Sequence, residues 1–335
     1  MDSISELNIE LHHFLIGLDD DWRRRQAAAP DPSLAAAADA FVADWEPQVR
    51  ARLDATYARL STTVEAADDA TRARAAEAHR LLIQPYFLTS RFCRRCVDKP
   101  LGYAGDYGAV EMIYSGTETD PAPIGRLLGG YTLQTGPCEA HRGRLPWTHA
   151  RLAELGVERP RLLSFACGPE VVLRRWVEAG NTADIVLADH DANALAFAQK
   201  ELQRVIRRTK NTSTVRTVTM SAREVMVDPG AIPLLGGPFD AVMVLGLLDY
   251  LPDAVVVRFL KALSATLRPG GTLLTSNLTG PNPWRALMEL TSDWVVAHRT
   301  VAGFEALVSA TTTLAPTRTD IHASGVNLYN ASIRL

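Results

Sequence analysis

The sequence predicts an α/β fold: a mostly parallel sheet with helices on both faces, an antiparallel C-terminal hairpin, and a helical domain in front. Three observations predict it. From residue 161 onward, short apolar runs ending in small or acidic residues alternate with helical patterns, as in a doubly wound sheet. Residues 5–88 instead repeat apolar positions every third or fourth residue, with no strand-like run. At the end, residues 318–322 and 326–335 alternate around Ser324-Gly325 with no helix between them, which is a hairpin pattern.

The helical part opens with residues 5–24, where Leu7, Leu11, Phe14, Leu15, Leu18 and Trp22 share one side. Asp31-Pro32-Ser33 breaks it. A second helix follows, with Phe41, Trp45, Val49, Leu53 and Tyr57 at every fourth position as a buried stripe. A third is expected over residues 63–88, ending near Pro85. Residues 99–107 form a loop rich in glycine, tyrosine and acid. Its glycines open backbone conformations closed to other residues, and Tyr103 and Tyr107 offer flat apolar faces with polar tips. Glu111 and Tyr114 follow on a short helix, and a helix over 147–155 leads into the sheet. The expected division is residues 1–145 for the helical domain and 146–335 for the sheet domain.

In the second part, the strand at 161–165 ends in Ala166-Cys167-Gly168-Pro169-Glu170, and a helix begins at Val171. A second strand, 185–189, ends in Asp189, and Asp191 caps the next helix. A third strand, 215–220, precedes Ser221-Ala222, and a fourth, 239–246, ends in Leu245-Gly246. A helix over 255–267, the turn Arg268-Pro269-Gly270-Gly271 and a strand at 272–276 follow. Pro281-Asn282-Pro283 is read as opening a further helix that holds Trp284 and Met288.

Composition narrows the function. The chain has 335 residues, 47% hydrophobic and 22% charged, enough for one large or two ordinary domains with a proper core. A net charge of −3 without a basic run argues against nucleic acid or an anionic membrane as partner. No basic segment followed by an apolar core opens the sequence, and no run approaches a membrane span, so a cytoplasmic protein is expected. The four cysteines then suit a reducing compartment. Cys93-x-x-Cys96 lacks a second pair and reads as two ordinary helix cysteines; with no ligand-like spacing elsewhere, no metal is expected. An apolar face on the first helices would serve a homodimer.

In an open parallel sheet the ligand lies beyond the carboxyl ends of the strands, at the switch point. The turn at Gly168, Asp189 about twenty residues later, Ser221-Ala222 and Leu245-Gly246 all fall there. Asp189 can accept hydrogen bonds from ribose hydroxyls or cap a helix, and Asp191 is the better cap. Ser221 and Ala222 can flank a base ring, and Gly246 leaves space for a ligand.

These residues resemble the class I S-adenosylmethionine-dependent methyltransferases over about residues 161–335. Residues 165–169 look like a cofactor loop with its glycines reduced, Asp189 like the ribose ligand, and 267–271 like the turn before the fifth strand. The resemblance implies a Rossmann-like methyltransferase sheet and S-adenosyl-L-methionine as cofactor. Ala166, Cys167 and Gly168 would lie by its carboxypropyl end and His190 and Ala222 by its adenine, with Tyr103, Ser221, Leu245 and Gly246 completing the binding residues. A narrower resemblance, on residues 99–107, 163–169 and 324–329, is to a bacterial two-domain group that includes 3-hydroxypalmitate methyl ester biosynthesis proteins. There the helical part covers the cofactor and shapes the acceptor pocket.

A sulfonium methyl is already activated, so the protein must align an acceptor, exclude water and remove a proton. Asp106, Glu111 and Asp249, with Tyr107 and Tyr250, are the expected catalytic residues. Three acids favour a cationic small molecule, an amine or guanidine such as free arginine, in a bacterial natural-product pathway. The rival is a carboxylate acceptor giving a fatty-acid methyl ester. It would need cations such as Arg91, Arg94, Arg142 or Arg144. A cofactor-binding regulator without transfer activity is the third reading.

Overall fold

The computed structural model describes residues 3–29, 33–228 and 230–335. The break expected at Asp31-Pro32 lies outside them. Two compact units emerge, Met1–Glu139 with Pro281–Val295, and Ala140–Gly280 with Val296–Leu335.

The first unit is helical: α1 (Ser3–Ala28), α2 (Leu34–Ala66), α3 (Asp69–Leu82), α4 (Gln84–Phe87), α5 (Arg91–Asp98), α6 (Tyr107–Ser115), α7 (Pro123–Leu133) and the start of α8 (Gly136–Glu154). The expected stripes become its core, with Leu7, Leu11, Leu15 and Leu18 of α1 packed among Phe41, Val49, Leu53 and Tyr57 of α2. The third helix differs from expectation. α2 continues through Pro47 to Ala66, and α3 starts afresh where the Asp68 carboxylate accepts from Thr71 N. α8 likewise begins eleven residues before the expected 147, with Pro146 inside it.

The helix expected from Pro281 is also corrected. Residues 281–295 hold a shorter helix than expected, helical at 285–291 with Leu287–Thr291 in the π form, and join the helical unit. Ala286, Leu287 and Leu290 enter its core, Ser61 Oγ donates to Pro283 O, and Gln84 Nε2 donates to Thr291 O. The apolar spacing is satisfied by burial, and side chains of α2 and α4 hold backbone groups at the ends of this short helical stretch.

A buried polar network anchors this segment. His79 Nε2 lies 2.8 Å from Thr291 Oγ1, its Nδ1 3.0 Å from Asn8 Oδ1, and Tyr57 Oη 2.9 Å from Thr291 Oγ1. Burial keeps His79 neutral, with its pKa pushed down to about 3.

The second unit is the sheet, in the order β3-β2-β1-β4-β5-β7-β6. Its strands are β1 (Arg161–Phe165), β2 (Asp184–Asp189), β3 (Thr214–Thr219), β4 (Phe239–Leu245), β5 (Leu267–Leu278), β6 (Leu314–Ile321) and β7 (Asn327–Arg334). β1 to β5 run parallel, and the hairpin adds β7 and β6 antiparallel at one edge, as expected. Between the strands run α9 (Val171–Glu178), α10 (Ala192–Thr209), α11 (Ala222–Val227), α12 (Ala231–Leu235), α13 (Asp253–Ser264) and α14 (Val301–Ser309). One face buries Leu163, Val186 and Val242 against Phe259 and Phe304; the other buries Leu162, Ile185 and Ala241 against Trp176 and Leu202. β1 lies between β2 and β4, which makes the carboxyl ends of β1 and β4 the switch point. No described helix is long and apolar enough to cross a membrane.

His79 gives the helical unit an acid sensitivity. The unfolded chain takes up a proton near the ordinary histidine pKa of about 6.5, whereas the folded one resists it down to about 3. The contribution of neutral His79 is therefore complete above about pH 6.5 and is lost at about 1.4 kcal/mol per unit as pH falls from there. His79→Gln should remove close to one proton from the pH slope of urea unfolding between pH 6 and 4; an unchanged slope would contradict the assignment.

Candidate functional site

The loop after β1 takes an unusual backbone path. Ala166, Gly168 and Glu170 are all left-handed, with φ of 51°, 52° and 50°. For a residue with a Cβ this conformation costs about 1–2 kcal/mol, so something must hold it. Cys167 N donates to Ala188 O at 3.3 Å, Glu170 N to Cys167 O at 3.0 Å, and Gly168 N to Asp189 Oδ2 at 3.0 Å. The Glu170 carboxylate turns back to accept from Leu173 N and caps α9. Burial raises its pKa, opposed by hydrogen bonds from Ser164 and Leu173 N. The loop thus follows a glycine-rich path with side chains at two of three left-handed positions. In front of Gly168 the space is open, since a Cβ there would meet nothing within 4 Å.

Asp189 organises this corner. Its second oxygen accepts from Asp191 N at 3.0 Å and lies 3.1 Å from Nδ1 of the exposed His190. Asp191 is the cap of α10, accepting from Asn193 N, as the sequence suggested. After β3, the Ser221 hydroxyl is committed to a capping box with Glu224, donating to Glu224 Oε2 and accepting from Glu224 N. That engagement explains its place at the start of α11 without a ligand. Ala222 follows it, half-buried.

At the end of β4, Gly246 has φ 103°, and a Cβ there would lie 2.6 Å from Arg144 Nη1. Arg144 donates to Leu245 O at 3.3 Å. The chain then makes a 3₁₀ turn, Leu248–Tyr250. Asp249 is 4% exposed; its Oδ1 accepts from Leu278 N at 2.5 Å and its carbonyl from Ala297 N at 2.8 Å. Burial raises its pKa, with Arg144, Leu278 N and Arg299 pulling the other way. Tyr250 is exposed.

The remaining expected residues belong to the helical unit. Asp106 is 1% exposed, caps α6 by accepting from Ala109 N at 2.9 Å, and pairs with Arg95 Nε at 2.7 Å. Gly108 makes room for that arginine, because a Cβ there would lie 2.4 Å from its guanidinium carbon. Its Oδ2 partner is not among the arginine's contacts: Asp106 Oδ2 is buried with no hydrogen-bond partner among the described residues. Tyr103 lies in the preceding loop, and Tyr107 and Glu111 are on α6, all half-buried.

The structure therefore gathers Ala166, Cys167, Gly168, Asp189 and His190 at one corner of the sheet, and Leu245, Gly246, Asp249 and Tyr250 after β4. Arg144 was only one of four candidate cations in the sequence, and Glu170 was not singled out. Only a contact map could have promoted either. An open approach over Gly168, an acid ending β2 and a glycine ending β4 fit a nucleoside cofactor. Among the described residues, no group of three or more His, Cys, Asp or Glu could hold a metal ion.

Residues 162–271 match the family model of a methyltransferase domain. No curated protein matches the chain. A possible exported protein from Bordetella parapertussis has the same fold over nearly the whole length: 20% identity, 91% of this chain and 99% of that chain covered, TM-score 0.59. Magnesium protoporphyrin IX methyltransferase from Synechocystis PCC 6803, solved with bound SAM, aligns at 15% identity over 59% of this chain and 82% of that chain, TM-score 0.44. The N-methyltransferase NodS from Bradyrhizobium japonicum WM9 aligns at 16% over 56% and 95%, TM-score 0.37. These last two likenesses are too low to bear on the acceptor.

Ala166→Gly should raise stability by about 0.5–1 kcal/mol, the relieved strain less the added chain entropy; a loss in thermal unfolding would mean that the left-handed turn is not under strain. Asp189→Ala removes a charged partner of two backbone amides and should weaken S-adenosylhomocysteine binding at least about tenfold by calorimetry; unchanged affinity would remove Asp189 from the site. With the match running from β1 into β5 over this corner, residues 162–271 form a methyltransferase domain, and S-adenosylmethionine is its cofactor.

Proposed function

We propose that the enzyme methylates nitrogen in a small cationic metabolite, an amine or guanidine, with free arginine as the concrete candidate. Asp249 carries this reading. It is a buried carboxyl on the turn that follows Gly246, with a raised pKa. Its Oδ1 is fixed by Leu278 N at 2.5 Å. A carboxylate so placed attracts a cation and can take the proton that nitrogen must lose.

S-adenosylmethionine supplies an electrophilic methyl group when bound. The chain's own residues do the rest: the left-handed turn offers close backbone approach, Asp189 holds that turn, and Gly246 leaves room for the Arg144 guanidinium. A guanidinium holds its proton to about pH 12 or above. A carboxylate must therefore draw its charge towards some nitrogens and accept the proton as the new bond forms. Glu111 is the second acid in this reading. Asp106 contributes as the cap and ion-pair partner described above.

One observation favours a second reading, the methyl ester of a carboxylic acid. Arg144 is a buried guanidinium, and no carboxylate among the described residues pairs with it. An anionic acceptor would need such a cation.

A panel of L-arginine, agmatine, simple amines and 3-hydroxy fatty acids, read by mass spectrometry, separates the two. The expected product is an alkali-stable methyl adduct on nitrogen. Asp249→Asn should lower kcat about 10²- to 10⁴-fold with S-adenosylhomocysteine affinity unchanged, and Glu111→Gln should raise KM for the acceptor. An alkali-labile adduct on the fatty acid alone would overturn the nitrogen reading.

A further inference from the structure

The sheet unit holds a cluster of buried polar atoms that the cofactor corner does not use. Arg144 is 5% exposed. It donates from Nη1 to Leu245 O and lies 3.4 Å from His141 Nε2, while its Nε has no partner among the described residues. His141 adds no second positive charge, because burial and the charges of Arg144 and Arg142 hold that imidazole neutral. Along the ladder, Leu245 of β4 stands beside Ser276 of β5, and Ser276 beside Tyr329 of β7; Leu278 and Asn327 pair at the next rung on the same face. Ser276 is fully buried and its Oγ has no partner. Asn327 is 1% exposed, and neither its Oδ1 nor its Nδ2 makes a hydrogen bond. Asn327 nevertheless lies close enough to Tyr329 to favour its phenolate, as does Arg144. The Tyr329 hydroxyl itself is occupied, donating to Ala140 O.

A guanidinium in no direct ion-pair contact, an amide whose only neighbour of note is Tyr329, and an unpartnered hydroxyl thus share one face of β4, β5 and β7 at their crest end. Buried polar atoms are normally paired, and four open ones together call for a common partner. A planar guanidinium fork matches the two oxygens of a carboxylate. The amide N–H and the hydroxyl can donate to the same group, and Asn327 Oδ1 can accept from a neighbouring ammonium. Burial raises the Asp249 pKa and the Arg144 charge lowers it, but Asp249 makes no hydrogen bond to that guanidinium, and its Oδ1 is taken by Leu278 N.

We infer that Arg144, Ser276 and Asn327 form a carboxylate subsite, which holds the amino-acid end either of the cofactor or of the methyl acceptor. This rests on the methyltransferase reading for its ligands and goes beyond it in assigning the residues.

The test compares wild type with Arg144→Met, Arg144→Lys and Asn327→Leu as full chains. Calorimetry with S-adenosylhomocysteine and with 5′-methylthioadenosine, which lacks the amino-carboxypropyl arm, reads the cofactor source. The first should weaken at least tenfold in Arg144→Met and the second change less than twofold. If both are unchanged, sodium acetate at fixed ionic strength reads the acceptor source. It should raise the melting temperature of the S-adenosylhomocysteine complex in wild type and not in Arg144→Met. Arg144→Lys keeps the charge without the fork and should fall between; with Asn327→Leu it carries the comparison if the methionine variant does not fold. Equal response of all four proteins to every carboxylate probe overturns the subsite. If wild type binds neither nucleoside, the methyltransferase reading fails, and acetate protection of the ligand-free chain still decides the subsite.

Discussion

The hydrogen bond from Gly168 N to Asp189 Oδ2 is the constraint on which the site depends. It ties the loop after β1 to the end of β2. With the bonds from Cys167 N and Glu170 N, it keeps Ala166 and Glu170 in a conformation that favours glycine. The neighbouring strands make the bond possible, since parallel pairing of Phe165 with Ala188 brings the two strand ends level. A second bond, from Cys167 N to Ala188 O, extends the ladder one step into the loop. The same carboxylate also accepts from Asp191 N, so one side chain sets both the turn after β1 and the start of α10.

The sheet topology explains why the other features collect where they do. Strand order reverses at β1 and β4, so the loops after them diverge and leave a crevice. The antiparallel hairpin then inserts β7 beside β5, which brings Tyr329 and Asn327 up to the crest without a further crossover helix. α8 leads into β1 and carries Arg144 to the end of β4. In the helical unit, the segment 281–295 is held by a polar network centred on His79 and Thr291.

Much of this was legible in the sequence. The alternation of strands and helices, the hairpin around Ser324-Gly325 and the cap at Asp191 come from local patterns of period two, three and four and from turn chemistry, which act within a few residues. What was not legible depended on contacts far along the chain. The true start of α3 was hidden because Leu60, Val64 and Ala75 keep one apolar rhythm across the break at Asp68. Residues 281–295 resembled a longer helix because burial against α2 and α3 demands the same apolar spacing. Asp106 looked like a free acid in a tyrosine-rich loop, and its pairing with Arg95 only appears once α5 and α6 fold together. The open state of Arg144, Ser276 and Asn327 is a property of three elements packed side by side and leaves no mark on any one of them.

A crystal structure of the protein with S-adenosylhomocysteine tests the central claim most directly. The account predicts ribose hydroxyls within hydrogen-bond distance of the Asp189 carboxylate, with Ala166, Gly168 and Glu170 still left-handed beneath the ligand. A nucleoside bound away from the carboxyl ends of β1 and β2, or a turn that abandons those conformations when the ligand is present, would contradict it.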